Sequence, residues 1–73
     1  MRILVRIVAI MQDYEIEVDQ NMKIEEMLDA LKQINQAYDL YFKYCYHKQY
    51  QILDNHKTFK QYPYLEYDLL WLF

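Results

Sequence analysis

The sequence predicts an α+β domain in which a single helix packs across a mixed sheet of four to five strands. Three observations carry this expectation. Residues 1–19 alternate apolar and polar side chains with the period of an extended chain, interrupted by one short break. A single apolar stripe with helical spacing follows from Ile24 to Ile34. The rest consists of short aromatic and aliphatic runs separated by turn residues, ending in Leu69-Leu70-Trp71-Leu72-Phe73. The 73 residues form one domain, 1–73. A chain this short buries only about 60% of the surface its unfolded form exposes, so its core is thin.

Each element has its own local reason. From Met1 to about Ile10, alternation sets Met1, Ile3, Val5 and Ile7 on one face and Arg2, Leu4, Arg6 and Val8 on the other. Asp13 to Asp19 alternates more cleanly, with Tyr14, Ile16 and Val18 against four carboxylates, as in a half-buried strand. The short Met11-Gln12 connection makes these two an antiparallel hairpin. No Asn-Gly or Asp-Gly pair specifies its turn type, which stays open. Asn21 is a candidate helix cap, and Ile24, Met27, Leu28, Leu31 and Ile34 follow on one face, with Lys23, Glu25, Glu26, Asp29 and Lys32 on the wet side. Tyr38 and Tyr41 extend the stripe without an intervening glycine or proline, so the helix end stays open within a turn or two after Gln33. Phe42 to His47 and Tyr50 to Leu53 read as strands before an Asp54-Asn55-His56 turn. Phe59 to Tyr62 reads as one helical turn ended by Pro63, and Leu69 to Phe73 as the final strand.

Composition excludes several classes. Hydrophobic residues make up 55% of the chain, which rules out a disordered tail. The net charge is −3 and the eight basic residues are scattered, so no stripe exists to neutralise a run of phosphates, and nucleic acid is not expected as a partner. One cysteine permits no intramolecular disulfide and fits a reducing, cytoplasmic setting. Arg6 interrupts the apolar front and no small-residue cleavage site follows, so this segment reads as a strand and not as a signal peptide. A membrane span needs about 20 apolar residues, and no window of that kind occurs, so the protein is not expected to be membrane-embedded.

The residues that could carry chemistry have simpler readings. Cys45-x-His47 has the right atom types for a metal or a nucleophile, but zinc wants four ligands and only His56 remains, in a distant turn. Cys45 as a nucleophile would need a base and an oxyanion site, which no nearby motif supplies. Glu15 and Glu17 share a strand face, yet acid–base work requires one of them to be desolvated and this face reads as wet. The nine tyrosines, interleaved with lysines between Tyr41 and Lys48, evoke base stacking. Asp39, Asp54, Glu66 and Asp68 deny that reading its positive groove, and the tyrosines fit a half-buried sheet whose rim hydroxyls reach water. No catalytic set, metal site or cofactor is expected, and the chain is not read as an enzyme.

In order and spacing the chain resembles ubiquitin, the type member of the β-grasp fold. The resemblance covers nearly the whole chain and rests on Leu53, the acidic turn after it, Thr58-Phe59, Tyr62 and the terminal apolar strand. It implies a core containing Met1, Ile3, Val5, Tyr14, Ile16, Val18, Ile24, Met27, Leu31, Tyr46, Leu53, Phe59, Leu70 and Leu72. It also implies that the Tyr62 hydroxyl ties down the Asp54 to His56 loop, and that Arg2 faces Glu17 and Arg6 lies near Asp13 across the hairpin. The last strand would lie between the first and third. Leu69, Trp71 and Phe73 would then emerge beside Leu4 and Val8 on one flank and His47 on the other. These six residues are the expected protein-interaction face, because exposed aromatics are costly unless a partner or a second copy covers them.

Within the β-grasp proteins the chain is similar to the YukD-like family of Gram-positive type VII secretion systems. These are small cytosolic ubiquitin-like proteins that lack the diglycine end of a modifier. Their C-terminal pattern, a tyrosine-containing turn, an acidic residue and Leu-Leu-x-Leu, is similar to Tyr62-Pro63-Tyr64-Leu65-Glu66-Tyr67-Asp68-Leu69-Leu70-Trp71-Leu72. The glycine usual before the aspartate is Tyr67 here. Membership implies an accessory or regulatory interaction module that is not conjugated, with other proteins, such as secretion components, or a second copy as partners. The alternative is an atypical sulfur carrier or modifier. A flexible diglycine end separates the two, and the chain contains no glycine at all.

Overall fold

A computed structural model describes residues 1–34, 45–49, 51–62 and 67–73. Among these residues the elements are β1 (Arg2–Ile7), β2 (Gln12–Glu17), α1 (Ile24–Ile34), β3 (Cys45–His47), β4 (Gln51–Ile52) and β5 (Leu69–Leu72). Two 3-10 turns occupy Val8–Ile10 and Phe59–Gln61. The strands form one sheet in the order β2-β1-β5-β3-β4. β1 and β5 run parallel and the other pairs antiparallel. One helix against a mixed sheet whose last strand lies between the first and third is the β-grasp layout, as expected. The expected extensions over Tyr38, Tyr41, Phe42, Tyr50 and Pro63 lie outside the described residues.

The hairpin forms with Arg2 opposite Glu17 and Arg6 opposite Asp13. β1 stops at Ile7, earlier than the alternation predicts. Val8–Ile10 tightens into the 3-10 turn and Met11 closes it in the left-handed region, at φ 50° and ψ 44°, with its N–H bonded to the Val8 carbonyl at 3.3 Å. Val8 therefore belongs to the turn and not to the strand.

Asn21 does not cap α1. Its own N–H is held by the Asp19 carboxylate at 2.7 Å, and the helix begins three residues later. The first helical amides are satisfied from another part of the chain: Ile24 N–H donates to the Lys57 carbonyl and Glu25 N–H to the Asn55 carbonyl, both at 3.0 Å. The amides of a helix's first turn lack intrahelical acceptors, and here a loop supplies them in place of a capping side chain. Lys23 bridges Thr58, and Phe59 N–H donates to the Met22 carbonyl, so the helix entry and the Asn55–Lys60 segment are tied together along their length.

The core sits between sheet and helix. Ile3, Val5 and Ile7 of β1 and Leu70 and Leu72 of β5 face Ile24, Met27, Leu28 and Leu31 of α1, with Val18, Leu53 and Phe59 closing the sides. Tyr14 and Ile16 are half-buried against this cluster. One expected member is misplaced. Tyr46 stands on the outer face and Cys45 occupies the core instead, because β3 pairs Cys45 with the inward Leu72 and Tyr46 with the outward Trp71.

Candidate functional site

Registers across the five strands align Asp13, Arg6, Trp71, Tyr46 and Ile52 in one row on the sheet face opposite the helix. Glu15, Leu4 and Leu69 form a shorter row beside it. The face is thus divided lengthwise. Its β2–β1 half is ionic. Arg6 binds Asp13 through two hydrogen bonds of 2.8 and 3.0 Å, and Arg2 reaches Glu15 at 3.3 Å and Glu17 at 3.5 Å. The hydrogen bond from Arg6 holds the Asp13 carboxyl below its ordinary value. These pairs are solvent-exposed, so water and salt screen them and they fix the register of the hairpin more than they stabilise it.

The β5–β3–β4 half is apolar. Tyr46 packs against Trp71 with ring centroids 5.5 Å apart and against Phe73 edge-on at 6.4 Å. Trp71 nevertheless stays 38% exposed and Phe73 49%, and Leu4 and Ile52 are also exposed. Arg6, Val8, Met11, Trp71 and Phe73 line a shallow depression at one end of this half. Of the six residues expected on the face, Leu4, Leu69, Trp71 and Phe73 lie on it and Val8 joins it from the 3-10 turn.

His47 does not belong to this face. It is 1% exposed and points to the same side of β3 as the buried Cys45. Its place is taken by Tyr46, and Ile52 extends the patch. Three-residue β3 is too short to show its own period, so its facing could be read only from its partner: the residue opposite Leu72 must turn inward. A buried imidazole needs partners for both nitrogens, and it has them. The Gln49 N–H donates to Nδ1 at 3.0 Å and Nε2 lies 2.5 Å from the Asp68 carboxylate. A neutral ring with its hydrogen on Nε2 satisfies both contacts. The bond from His47 holds the Asp68 carboxyl below its ordinary value, with the Leu69 N–H adding to the effect. His47 therefore joins the end of β3 to the residue that leads into β5.

The same geometry bears on Cys45. Burial pushes its thiol up to about 12, so it carries no thiolate at neutral pH. Both nitrogens of the neighbouring His47 are engaged, and neither is directed to act as a base for the sulfur. Among the described residues no group of three or more His, Cys, Asp and Glu side chains could hold a metal ion. No described helix is long and apolar enough to cross a membrane.

One further expected contact is present. The Tyr62 hydroxyl accepts a hydrogen bond from the Asp54 N–H at 3.1 Å, tying down the loop whose carbonyls meet α1. Compared with known proteins, the chain matches no family model, and no curated protein matches it.

Proposed function

We propose that the protein is a ubiquitin-like interaction module, not conjugated to targets, that serves as an accessory or regulatory component of a type VII secretion system. The observation that carries the interaction reading is the apolar half of the outer face: Trp71 and Phe73, on or just past the central strand, remain partly exposed although Tyr46 packs against both. Aromatic side chains in this state are enriched at the centres of protein interfaces. Leu4, Leu69 and Val8 border them.

The YukD-like resemblance gains support from Tyr67. This is the position where that family's pattern has glycine, and its backbone here is left-handed, at φ 61°. Only glycine takes that conformation without steric cost, so the glycine pattern and this backbone agree in register.

Affinity purification from the native cells tests both parts. The wild type should retain secretion-system proteins that Trp71→Ala releases, and immunoblots should show free protein only. A set of retained proteins unrelated to secretion would overturn the pathway. Higher adducts that survive boiling and thiol, and vanish when the C-terminus is blocked, would overturn the non-conjugated reading.

A further inference from the structure

The outer edge of β2 has a chemistry separate from the aromatic face. Val18 N–H donates to the Met1 carbonyl at 2.8 Å and the Met1 nitrogen donates back to Val18 at 3.0 Å, so these two form a hydrogen-bonded pair of the antiparallel ladder. Such pairs alternate with non-bonded ones. Ile3–Ile16 and Val5–Tyr14 are therefore bonded pairs. At Arg2–Glu17, Leu4–Glu15 and Arg6–Asp13 the β2 backbone turns away from β1. Among the described residues β2 ends the sheet, so the N–H and C=O groups of Asp13, Glu15 and Glu17 face outward along an open edge.

Two features beside that edge define what fits it. On the outer face the side chains of the same three residues form a row of half-exposed carboxylates, whose partners among the described residues, Arg2, Arg6 and the Met1 amino group, all lie on the β1 side. On the helix side a mostly apolar groove of about 130 Å³ runs between β2 and α1, lined by six apolar residues, among them Ile16, Met22 and Leu31, together with Glu17. An added strand would place alternate side chains over the carboxylate row and over this groove. A second copy fits poorly: antiparallel pairing centred on Glu15 sets Glu15 against Glu15 and Asp13 against Glu17, and like charges directly opposite are destabilising.

We infer that the β2 edge binds an extended segment of another protein, about five residues long, in which Lys or Arg alternates with aliphatic residues. Its backbone completes the ladder at Asp13, Glu15 and Glu17. Its basic side chains continue the ion-pair rows outward from β1, and its apolar ones cover the groove. The inference is independent of the Trp71 face.

The probe is a synthetic peptide of alternating lysine and valine, titrated into the full chain and followed by amide NMR and hydrogen exchange. Asp13, Glu15 and Glu17 N–H groups should shift and gain protection, while Tyr14, Ile16 and Val18, already bonded to β1, keep theirs. Glu15→Lys should weaken binding by about tenfold or more through charge. Glu15→Pro removes one outward N–H without touching the β1 ladder, where an edge proline is tolerated, and should abolish binding in a protein that still melts cooperatively. Four results would each overturn the inference. They are equal binding of a block peptide with the same composition, shifts confined to Trp71 and Tyr46, no binding at millimolar peptide, and concentration-dependent protection of the β2 edge without peptide.

Discussion

The Tyr62 hydroxyl and the Asp54 backbone N–H are joined at 3.1 Å, and through this bond a side chain in one turn sets the shape of the loop before it. The loop is closed again by Lys57 N–H on the Asp54 carbonyl and His56 N–H on the Asp54 carboxylate. Its Asn55 and Lys57 carbonyls then receive the first amides of α1. Tyr62→Phe should lower stability by about 0.5 to 1.5 kcal/mol, the net range for one intramolecular hydrogen bond, here part-buried. Urea denaturation measures the loss, and faster exchange of the Ile24 and Glu25 amides would place it at the helix entry. A variant as stable as wild type would show that the loop holds without the phenol.

Asp68 gives a pH dependence with a defined sign. Its carboxyl is held below the ordinary value of 3.8 by the bond from His47. A depressed native value means that the contribution is complete above that ordinary value and is lost as pH falls through the lowered one. The advantage of wild type over Asp68→Asn should therefore shrink below about pH 4 in denaturation curves taken from neutral to acid. Because the carboxylate is 45% exposed, the effect should be small. An advantage that is constant across this range would remove Asp68 from the acid transition.

Tyr67 holds a left-handed conformation that costs a non-glycine residue about 1 to 2 kcal/mol. Tyr67→Gly removes that cost while adding unfolded-state freedom of about 0.5 to 1 kcal/mol. The net should be a gain of about 0.5 kcal/mol, or about 2 to 4 °C in melting temperature. Tyr67→Val should move the other way, since a β-branched residue tolerates this region worst. Thermal melts that order the three proteins differently would count against the assigned backbone.

Trp71→Ala should separate stability from binding. The ring is partly exposed and stacks on Tyr46, so its removal should cost about 0.5 to 1.5 kcal/mol of folding stability. If Trp71 anchors a partner, the same truncation should lose about 2 kcal/mol or more of binding. Calorimetry with a purified partner, alongside a melt, gives both numbers. Unchanged affinity would remove Trp71 from the interface.

The parts of the fold legible in the sequence are those with long periods or strong local chemistry. β1 and β2 alternate over six residues each, so the two strands and their inward faces were legible from the pattern, while the pairing of Arg2 with Glu17 and of Arg6 with Asp13 was legible from the ubiquitin-like register. The helical stripe fixed which side of α1 is buried, and the ubiquitin-like spacing placed the Tyr62 bond. What was illegible depends on partners distant in sequence. Asn21 has the chemistry of a cap, but the carbonyls of Asn55 and Lys57 occupy the helix start. Histidine and tyrosine in β3 are both amphipathic, and pairing with β5 decides which one turns inward. His47 is buried because Asp68 and Gln49 complete its hydrogen bonds, a condition that no local window contains.

The parallel pairing of β1 with β5 has a consequence for how the molecule is made. The centre of the sheet pairs β1 with β5, so until β5 is made the β1–β2 hairpin can pack against α1 but lacks the central ladder, and a two-stranded hairpin by itself is marginal in water. The ladders of β1 with β5 and of β3 with β5 must wait until Leu72 has cleared the ribosome exit. Folding is then a single late event with its contacts spanning the chain, and such topologies close slowly. Until that moment Ile3, Val5 and Ile7 have no β5 to pair with, and a nascent chain stalled before Leu69 is a natural client for chaperones.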